Sequence, residues 1–497
     1  MKTIVGEKDR KIVPRWRSFR ASFGSFKREQ IEPPITVSNS LQSNIEDWNR
    51  ERSLWTALDV VGGAIVENRL DLAVDALHQV RIDPQTPPAA LAMIDEHEWN
   101  HSDEEQFDLS VERRSREEIR ASRIRLAEYP YDAIEWIELA RSFTTLGLLE
   151  KAERCISVAL TLAPADVFVL RSSSRFFIQQ DDPERAQWIL TKTPRTLKDP
   201  WLLSSEIAAA SVAGRESPLL KFARRLEQGD FRNEDLTELR AALATAELDS
   251  GSFHHGKKLL RRSLKGANEN SLAQIQWMDH TRLGNIIDTS MAKPPNENEA
   301  AAWRSFFEGR WDDSAAKSLE WFKDQPFSLN AGIFCSYVLA DLAGLPEKAL
   351  GILAIALKAN ADNPRLKNNL AFSLIQINKL DKAAEVLNSI LKDSDSAEYS
   401  TLEATAGLLA FRKGFPDQGR LLYLSAIDRF QREGVLDQAG RAATFLALEE
   451  VRSRTPESPT AVKRAHELTK NNARKDVAMK LEELREAAEV WIGDTAE

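Results

Sequence analysis

Between Trp136 and Pro164 the chain reads Trp136-x2-Leu139-Ala140-x2-Phe143, Gly147, Ala152-x3-Ile156, Ala159 and Pro164. An apolar period of three and four, broken once by glycine, fits two short helices joined by a tight turn and does not fit strands. The pattern recurs. With Gly147 as the turn mark, related turns fall at Asp181, Gly251, Gly309, Gly344, Asn378 and Gly414, and a small or aliphatic residue stands five places after each. Those residues are Ala152, Ala186, Gly256, Ser314, Ala349, Ala383 and Gly419. Two antiparallel helices cross closely only where a small residue lets their backbones approach, so this one position constrains the fold more than any other. After Pro364, the residues Leu370, Ala371, Leu374 and Leu387 give each helix one apolar stripe toward its partner. A single hairpin cannot cover that stripe. Stacked neighbours cover it, at roughly 25 cal/mol per Å² removed from water.

The size of the chain agrees. At 497 residues, 42% apolar and 29% charged, it is too long for one compact core, and an elongated helical array escapes that limit. No apolar stretch approaches the ~18 residues that span a bilayer, and Met1 to Lys8 lacks the apolar core of a signal peptide, so a cytoplasmic location without membrane contact is expected. Cys155 and Cys335 fall within predicted helices as small buried thiols, with no disulfide framework or cysteine zinc site.

The 34-residue helix-turn-helix spacing resembles the tetratricopeptide-repeat family over most of residues 50–430. The resemblance implies an all-α, right-handed helical-hairpin solenoid, here with a flexible basic N-terminal arm. In that family the first helix of each unit lines a concave groove that takes an extended peptide or a partner helix. Carried over place by place, the groove residues are Arg141 and Thr144, then Phe334, Val338 and Asp341, then Arg365, Asn368, Asn369, Phe372 and Ile375. Asn369 stands where peptide-binding members keep an asparagine that hydrogen-bonds the ligand backbone. Members that clamp a terminal carboxylate keep Lys and Arg at places occupied here by Phe334, Val338 and Glu403, so an apolar peptide or amphipathic helix is the expected ligand.

Composition divides the chain into five stretches. Residues 1–45 lack a helical period and hold Pro14, Pro33-Pro34 and a Ser/Asn run, which reads as an arm with little fixed structure. Residues 46–130 hold an irregular repeat, with Val60, Val61, Ala64, Ala73 and Leu77 in repeat places and Asn68 at its turn, followed by a charged bridging helix. Residues 131–292 carry middle repeats, with a degenerate unit at Trp201 to Leu226. After the Pro294-Pro295 break, residues 293–430 carry the C-terminal repeats. Residues 431–497 supply capping helices, expected at Gly440 to Val451 and at Asp476 to Trp491 with a polar outer face.

Charge is uneven. Residues 1–30 hold nine Lys or Arg against three Asp or Glu, or +6, so the total of −9 leaves −15 on the rest. Within the arm, Arg15, Trp16, Arg17, Phe19 and Arg20 interleave guanidinium groups with aromatic rings. That mixture suits docking in an acidic protein groove, including this chain's own body, and equally phosphate contacts with base stacking, or a solvated tail. A second basic face, Lys258, Arg261, Arg262 and Lys265 beside His254, lies on one side of the helix after Gly251. It reads as a solvated outer face, or as a contact for RNA, DNA or an acidic partner.

Three motifs imitate catalytic sites. His97-Glu98-Trp99-Asn100-His101 has the spacing of a zinc protease helix, but Asp95, Glu96, Asp103, Glu104 and Glu105 flank it and no third-ligand motif follows, so an acidic surface segment is the expected reading. Gly251 to Lys258 imitates a phosphate loop, yet Lys258 replaces the magnesium-holding hydroxyl and no strand precedes it. The adjacent His254 and His255 point to different sides of a helix. The sequence therefore predicts a non-enzymatic scaffold that holds a protein segment in its groove, with no cofactor and no bound metal. Nucleic acid through the arm and the basic helix is the alternative, and self-association is open.

Overall fold

The computed structural model describes residues 10–19, 39–67, 72–87, 90–91, 106–290, 292–390, 397–470 and 474–496. Every long regular element among them is helical. They fall into two compact units, one of residues 19–110 and one of residues 1–18 with 111–497, so the smaller unit interrupts the larger one in sequence.

The smaller unit packs α1 (Asn39–Arg50), α2 (Leu54–Glu67) and α3 (Val74–Ile82) around Leu41, Trp48, Leu54, Val60, Val61, Ala64 and Ala73. Of the repeat positions expected here, Val60, Val61, Ala64 and Ala73 are buried and Leu77 is half-buried, whereas Asn68 lies outside the described residues. Helix α1 begins inside the stretch expected as an unstructured arm.

In the larger unit α4 (Gln106–Glu128) precedes a series of hairpins. They are α5 (Ala133–Thr145) with α6 (Leu149–Leu162), α7 (Val167–Gln179) with α8 (Pro183–Thr191), α9 (Pro200–Val212) with the short α10 (Leu220–Glu227), and α11 (Asn233–Asp249) with α12 (Phe253–Ser263). Helix α13 (Glu269–Met278) then leads to α14 (Asn298–Glu308) with α15 (Trp311–Asp324), α16 (Leu329–Tyr337) with α17 (Pro346–Ala359), and α18 (Pro364–Gln376) with α19 (Leu380–Asn388). The series ends with α20 (Ala397–Arg412), α21 (Pro416–Arg432), α22 (Leu436–Arg452), α23 (Ser458–Thr469) and α24 (Lys475–Ala496).

Local chemistry explains the boundaries. Asp132, Asp166, Asp182, Asp199 and Asn363 each accept backbone N–H groups of the helix they precede, which satisfies donors that a helix start leaves free. All seven turn marks, from Gly147 to Gly414, have left-handed φ, including the non-glycine Asp181 at 57° and Asn378 at 58°. The small residues five places on are all buried at the helix crossings. Helix α23 was not expected. It follows a turn on Arg454, whose φ of 52° has no glycine to announce it.

Gly419 shows how close these crossings are. A Cβ there would lie 2.4 Å from the Phe411 ring and 2.9 Å from the Gly407 carbonyl oxygen. Gly419→Ala is therefore expected to cost about 1–3 kcal/mol in a denaturation experiment, and an unchanged midpoint would show the helices are not in contact.

The array curls back on itself. A Cβ at Gly147 would meet the Lys358 carbonyl oxygen, so the α5–α6 turn lies against the end of α17. Gln179 Nε2 donates to Asn360 Oδ1 at 2.5 Å, Lys358 pairs with Glu112, and Arg141 Nη2 donates to the Asp324 carbonyl at 2.8 Å. The inner face of the first helices from α5 to α13 is thus closed across its mouth by residues 324–360, where the repeat pattern alone implied an open trough.

Candidate functional site: a filled channel and an open groove

The channel made by this closure is filled. Residues 10–18, expected within an arm of little fixed structure, run through it without regular secondary structure, and residues 1–9 and 20–38 of that arm, Arg20 included, lie outside the described residues. Trp16 is 0% exposed, with its ring centroid 5.3 Å from that of Phe327 and 6.2 Å from that of Phe176. Ile12, 2% exposed, borders a void of about 20 Å³ shared with Ile207, Ala208 and Ala242.

The charged residues of the segment each meet a carboxylate. Arg10 donates to Glu299 at 2.7 Å, to Gln274 at 2.8 Å and to Asn270 at 2.7 Å. Lys11 pairs with Asp249 at 3.2 Å, Arg15 with Glu299 and Glu269, and Arg17 with Glu269 and with Asp324 at 2.7 Å. Burial alone would raise the Glu299 carboxyl, yet Arg10 and Arg15 bring it down to about 2. Two carbonyls are also caught: Val13 accepts from Asn270 Nδ2 at 2.9 Å and Trp16 from Arg141 Nε at 3.3 Å. Arg141 therefore does face the inner surface, as expected, and its partner is this chain's own backbone. Thr144 does not: its hydroxyl donates to the Ala140 carbonyl and the residue is buried between helices.

A second, unfilled concavity lies on the first helices α16, α18, α20 and α22. Ser336, Tyr337, Asp341, Asn368, Asn369, Phe372, Thr401, Ala404, Leu408, Tyr423, Arg441 and Phe445 line a cavity of about 120 Å³. Of the groove residues read from sequence, Asp341, Asn368, Asn369 and Phe372 are here. Phe334, Val338 and Ile375 are buried in the core instead. Phe334 packs on Trp303, 4.1 Å between ring centroids, and on Phe306, so it joins neighbouring hairpins. Val338 is turned inward by a π turn over Val338–Leu342, seen in the Ala343 N–H bonding back to the Val338 carbonyl at 2.9 Å; the extra residue per turn shifts the register that the repeat spacing assumes. Arg365, half-buried in the first turn of α18, is not among the lining residues.

The two asparagines have separate tasks. Asn369 Nδ2 donates to the Ile333 carbonyl at 3.1 Å and to Ser336 Oγ at 2.9 Å, tying α18 to α16 where a ligand contact was expected. Asn368 is 8% exposed, and its Oδ1 has no hydrogen-bond partner. A buried acceptor left unpaired costs about 1–3 kcal/mol, so this atom is poised for a donor from outside.

A network of ion pairs backs the charged lining residues. Asp341 pairs with Arg441 and, at 3.2 Å, with Lys480; Arg474 pairs with Asp476, which accepts the Tyr337 hydroxyl at 2.9 Å. Glu483 takes Lys480 at 3.0 Å and Arg452 at 2.6 Å, so the network continues away from the cavity. Arg441 also lies 4.8 Å over the Tyr337 ring. Burial raises the Tyr337 hydroxyl far above its usual value, so it stays protonated as a donor. Lys480 and Asp476 come from α24, expected only as a cap. Nothing in the repeat spacing announces that it pairs with the lining residues Asp341 and Tyr337.

The remaining sites are quickly placed. Lys258, Arg261 and Lys265 are exposed, while Arg262 pairs with Glu227 at 2.9 Å. In the phosphate-loop look-alike, Gly251 is a left-handed turn and Gly256 packs against Leu248. His97 and His101 lie outside the described residues, and among the described residues no group of three or more His, Cys, Asp or Glu could hold a metal. Cys155 and Cys335 are buried, and burial pushes their thiols up to about 11 and about 12. No helix among the described residues is long and apolar enough to cross a membrane.

Comparison with known proteins follows the same geometry. The tetratricopeptide repeat family model matches residues 342–406. A search of curated proteins finds no match. Among solved structures, the human IFIT1 dimer with m7Gppp-AAAA is similar at 14% identity over 92% of this chain and 94% of that chain, with a TM-score of 0.32. The APC/C hetero-tetramer Cut9-Hcn1 is similar at 12% identity over 89% and 92%, with a TM-score of 0.38, and yeast Tom70 at 12% over 77% and 96%, with a TM-score of 0.30. Residues 342–406 thus match tetratricopeptide repeats, and the helical hairpins on both sides of them make the larger unit an all-α, tetratricopeptide-like solenoid.

Proposed function

We propose that the protein is a non-enzymatic interaction scaffold that holds a protein segment in the groove of α16, α18, α20 and α22. The observation that carries this reading is the cavity beneath Asn368. Its volume of about 120 Å³ is below the roughly 300–1,000 Å³ of small-molecule and cofactor sites and is suited to one large apolar side chain. Phe372, Ala404, Leu408 and Phe445 supply apolar walls, the two charged lining residues Asp341 and Arg441 pair with each other, and Asn368 Oδ1 awaits an N–H donor such as a ligand backbone amide. The ligand is then an extended segment or helix anchored by one aliphatic or aromatic residue.

Selection of a random peptide library on the full chain tests this. The selected peptides are expected to share one large apolar residue. Ala404→Trp, which fills the cavity, should weaken them at least about 30-fold, and Asn368→Ala about 5-fold. Peptides that bind the Ala404→Trp chain equally well would sink the assignment.

The nucleic-acid alternative draws on one observation, the exposed face of Lys258, Arg261 and Lys265. It predicts RNA or DNA binding that falls steeply between low and physiological salt and is lost in a Lys258→Glu, Arg261→Glu chain. Binding indifferent to salt would reject it.

A further inference from the structure

The segment in the channel has the properties of a docked ligand. Residues 10–18 form no helix or strand, and their hydrogen bonds reach residues between 120 and 307 positions away, from Ser18 to Glu138 and from Arg17 to Asp324. Affinity comes from anchors: an indole sealed between Phe176 and Phe327, and four cations set against Glu269, Glu299, Asp324 and Asp249. A tryptophan flanked by arginines that are largely buried against carboxylates is the composition of an interface hot spot. The surface under it is complementary in charge and shape without belonging to the segment's own sequence neighbourhood.

We propose that the acidic inner face running from α5 to α15 is a receptor for extended protein segments of the pattern Arg-x4-Arg-Trp-Arg, and that residues 10–18 are its resident occupant in cis. A partner bearing the same pattern docks there by displacing them. The carboxylate lining excludes nucleic acid as the occupant, because phosphates would meet Glu269, Glu299 and Asp324 with like charge. This surface is separate from the cavity under Asn368, and neither reading depends on the other.

The experiment uses the full chain with the resident segment weakened by Arg15→Ala and Trp16→Ala, titrated with a labelled synthetic peptide of residues 10–19. Saturable one-to-one binding is expected, at least about 30-fold tighter than to the wild-type chain, whose channel is filled, and lost when the peptide itself carries Trp16→Ala. No binding to a variant that keeps its helical circular dichroism overturns the proposal, as does equal binding to variant and wild type. If the variant does not fold, hydrogen exchange on the wild-type chain decides. An exchangeable segment shows the amides of residues 11–18, Pro14 aside, exchanging well before those of α11 and α13, whereas exchange only at the rate of global unfolding makes it a fixed part of the core and overturns the proposal.

Discussion

Trp16→Ala is expected to lower the stability of the larger unit by about 3–5 kcal/mol, the usual cost of emptying a fully buried indole site. Trp16 belongs to the core that holds Ile137, Phe143, Phe176, Phe177 and Phe327, so its removal opens a void between helices far apart in sequence. The control is Trp55→Ala in the smaller unit, where the side chain is 69% exposed and the change should stay within about 0.5 kcal/mol. Chemical denaturation followed by circular dichroism reads both. A loss below about 1 kcal/mol at Trp16 would mean that the channel is not filled by this residue in solution.

Glu299→Ala is the second large effect. It removes the carboxylate that Arg10 and Arg15 share inside the channel, leaving Arg10 on the neutral Gln274 and Asn270 and Arg15 on Glu269 at 4.0 Å, and breaking such a buried pair costs about 3–5 kcal/mol. The same group sets an acid limit. Its carboxyl sits at about 2 in the folded chain against a usual 4.5, so the stabilisation is complete above about 4.5 and is lost as pH falls from there toward 2. Glu269, which burial pushes up to about 7 against the pull of Arg15 and Arg17, acts in the opposite sense and only between about 4.5 and 7. Glu299 therefore contributes a large share of the acid limb, beside other paired carboxyls such as Asp476 and Glu483 that are also held below their usual range, and the limb should be shallower in Glu299→Gln. A stability curve of the same slope in both chains between pH 4.5 and 3 would contradict the pairing. Because Trp16 and Glu299 hold one segment, the double variant should lose less than the sum of the two.

Much of the groove was within reach of the repeat spacing, and the failures have local causes. Asn368, Asn369 and Phe372 line the cavity because the frame after Pro364 is regular, and Asp341 lines it from within the π turn. Val338 missed because the π turn inserts a residue that no periodicity reveals. Phe334 and Ile375 missed because an apolar residue on a first helix can face the next hairpin as readily as the groove, and the neighbours decide which. The basic arm's aromatic and guanidinium pattern pointed to an acidic protein groove as one of three uses, with this chain's own body among the candidates.

What the sequence determined by itself is the hairpin: helix, left-handed turn, and a small residue where two backbones cross. These are contacts between residues a few positions apart, and the constraint is steric, so it is written in residue type and spacing. Only the tertiary structure decided the closure of residues 133–180 against 324–360, the pairing of α24 with Asp341 and Tyr337, and the capture of residues 10–18. Each depends on small rotations between successive hairpins that accumulate over hundreds of residues, and no single residue records their sum.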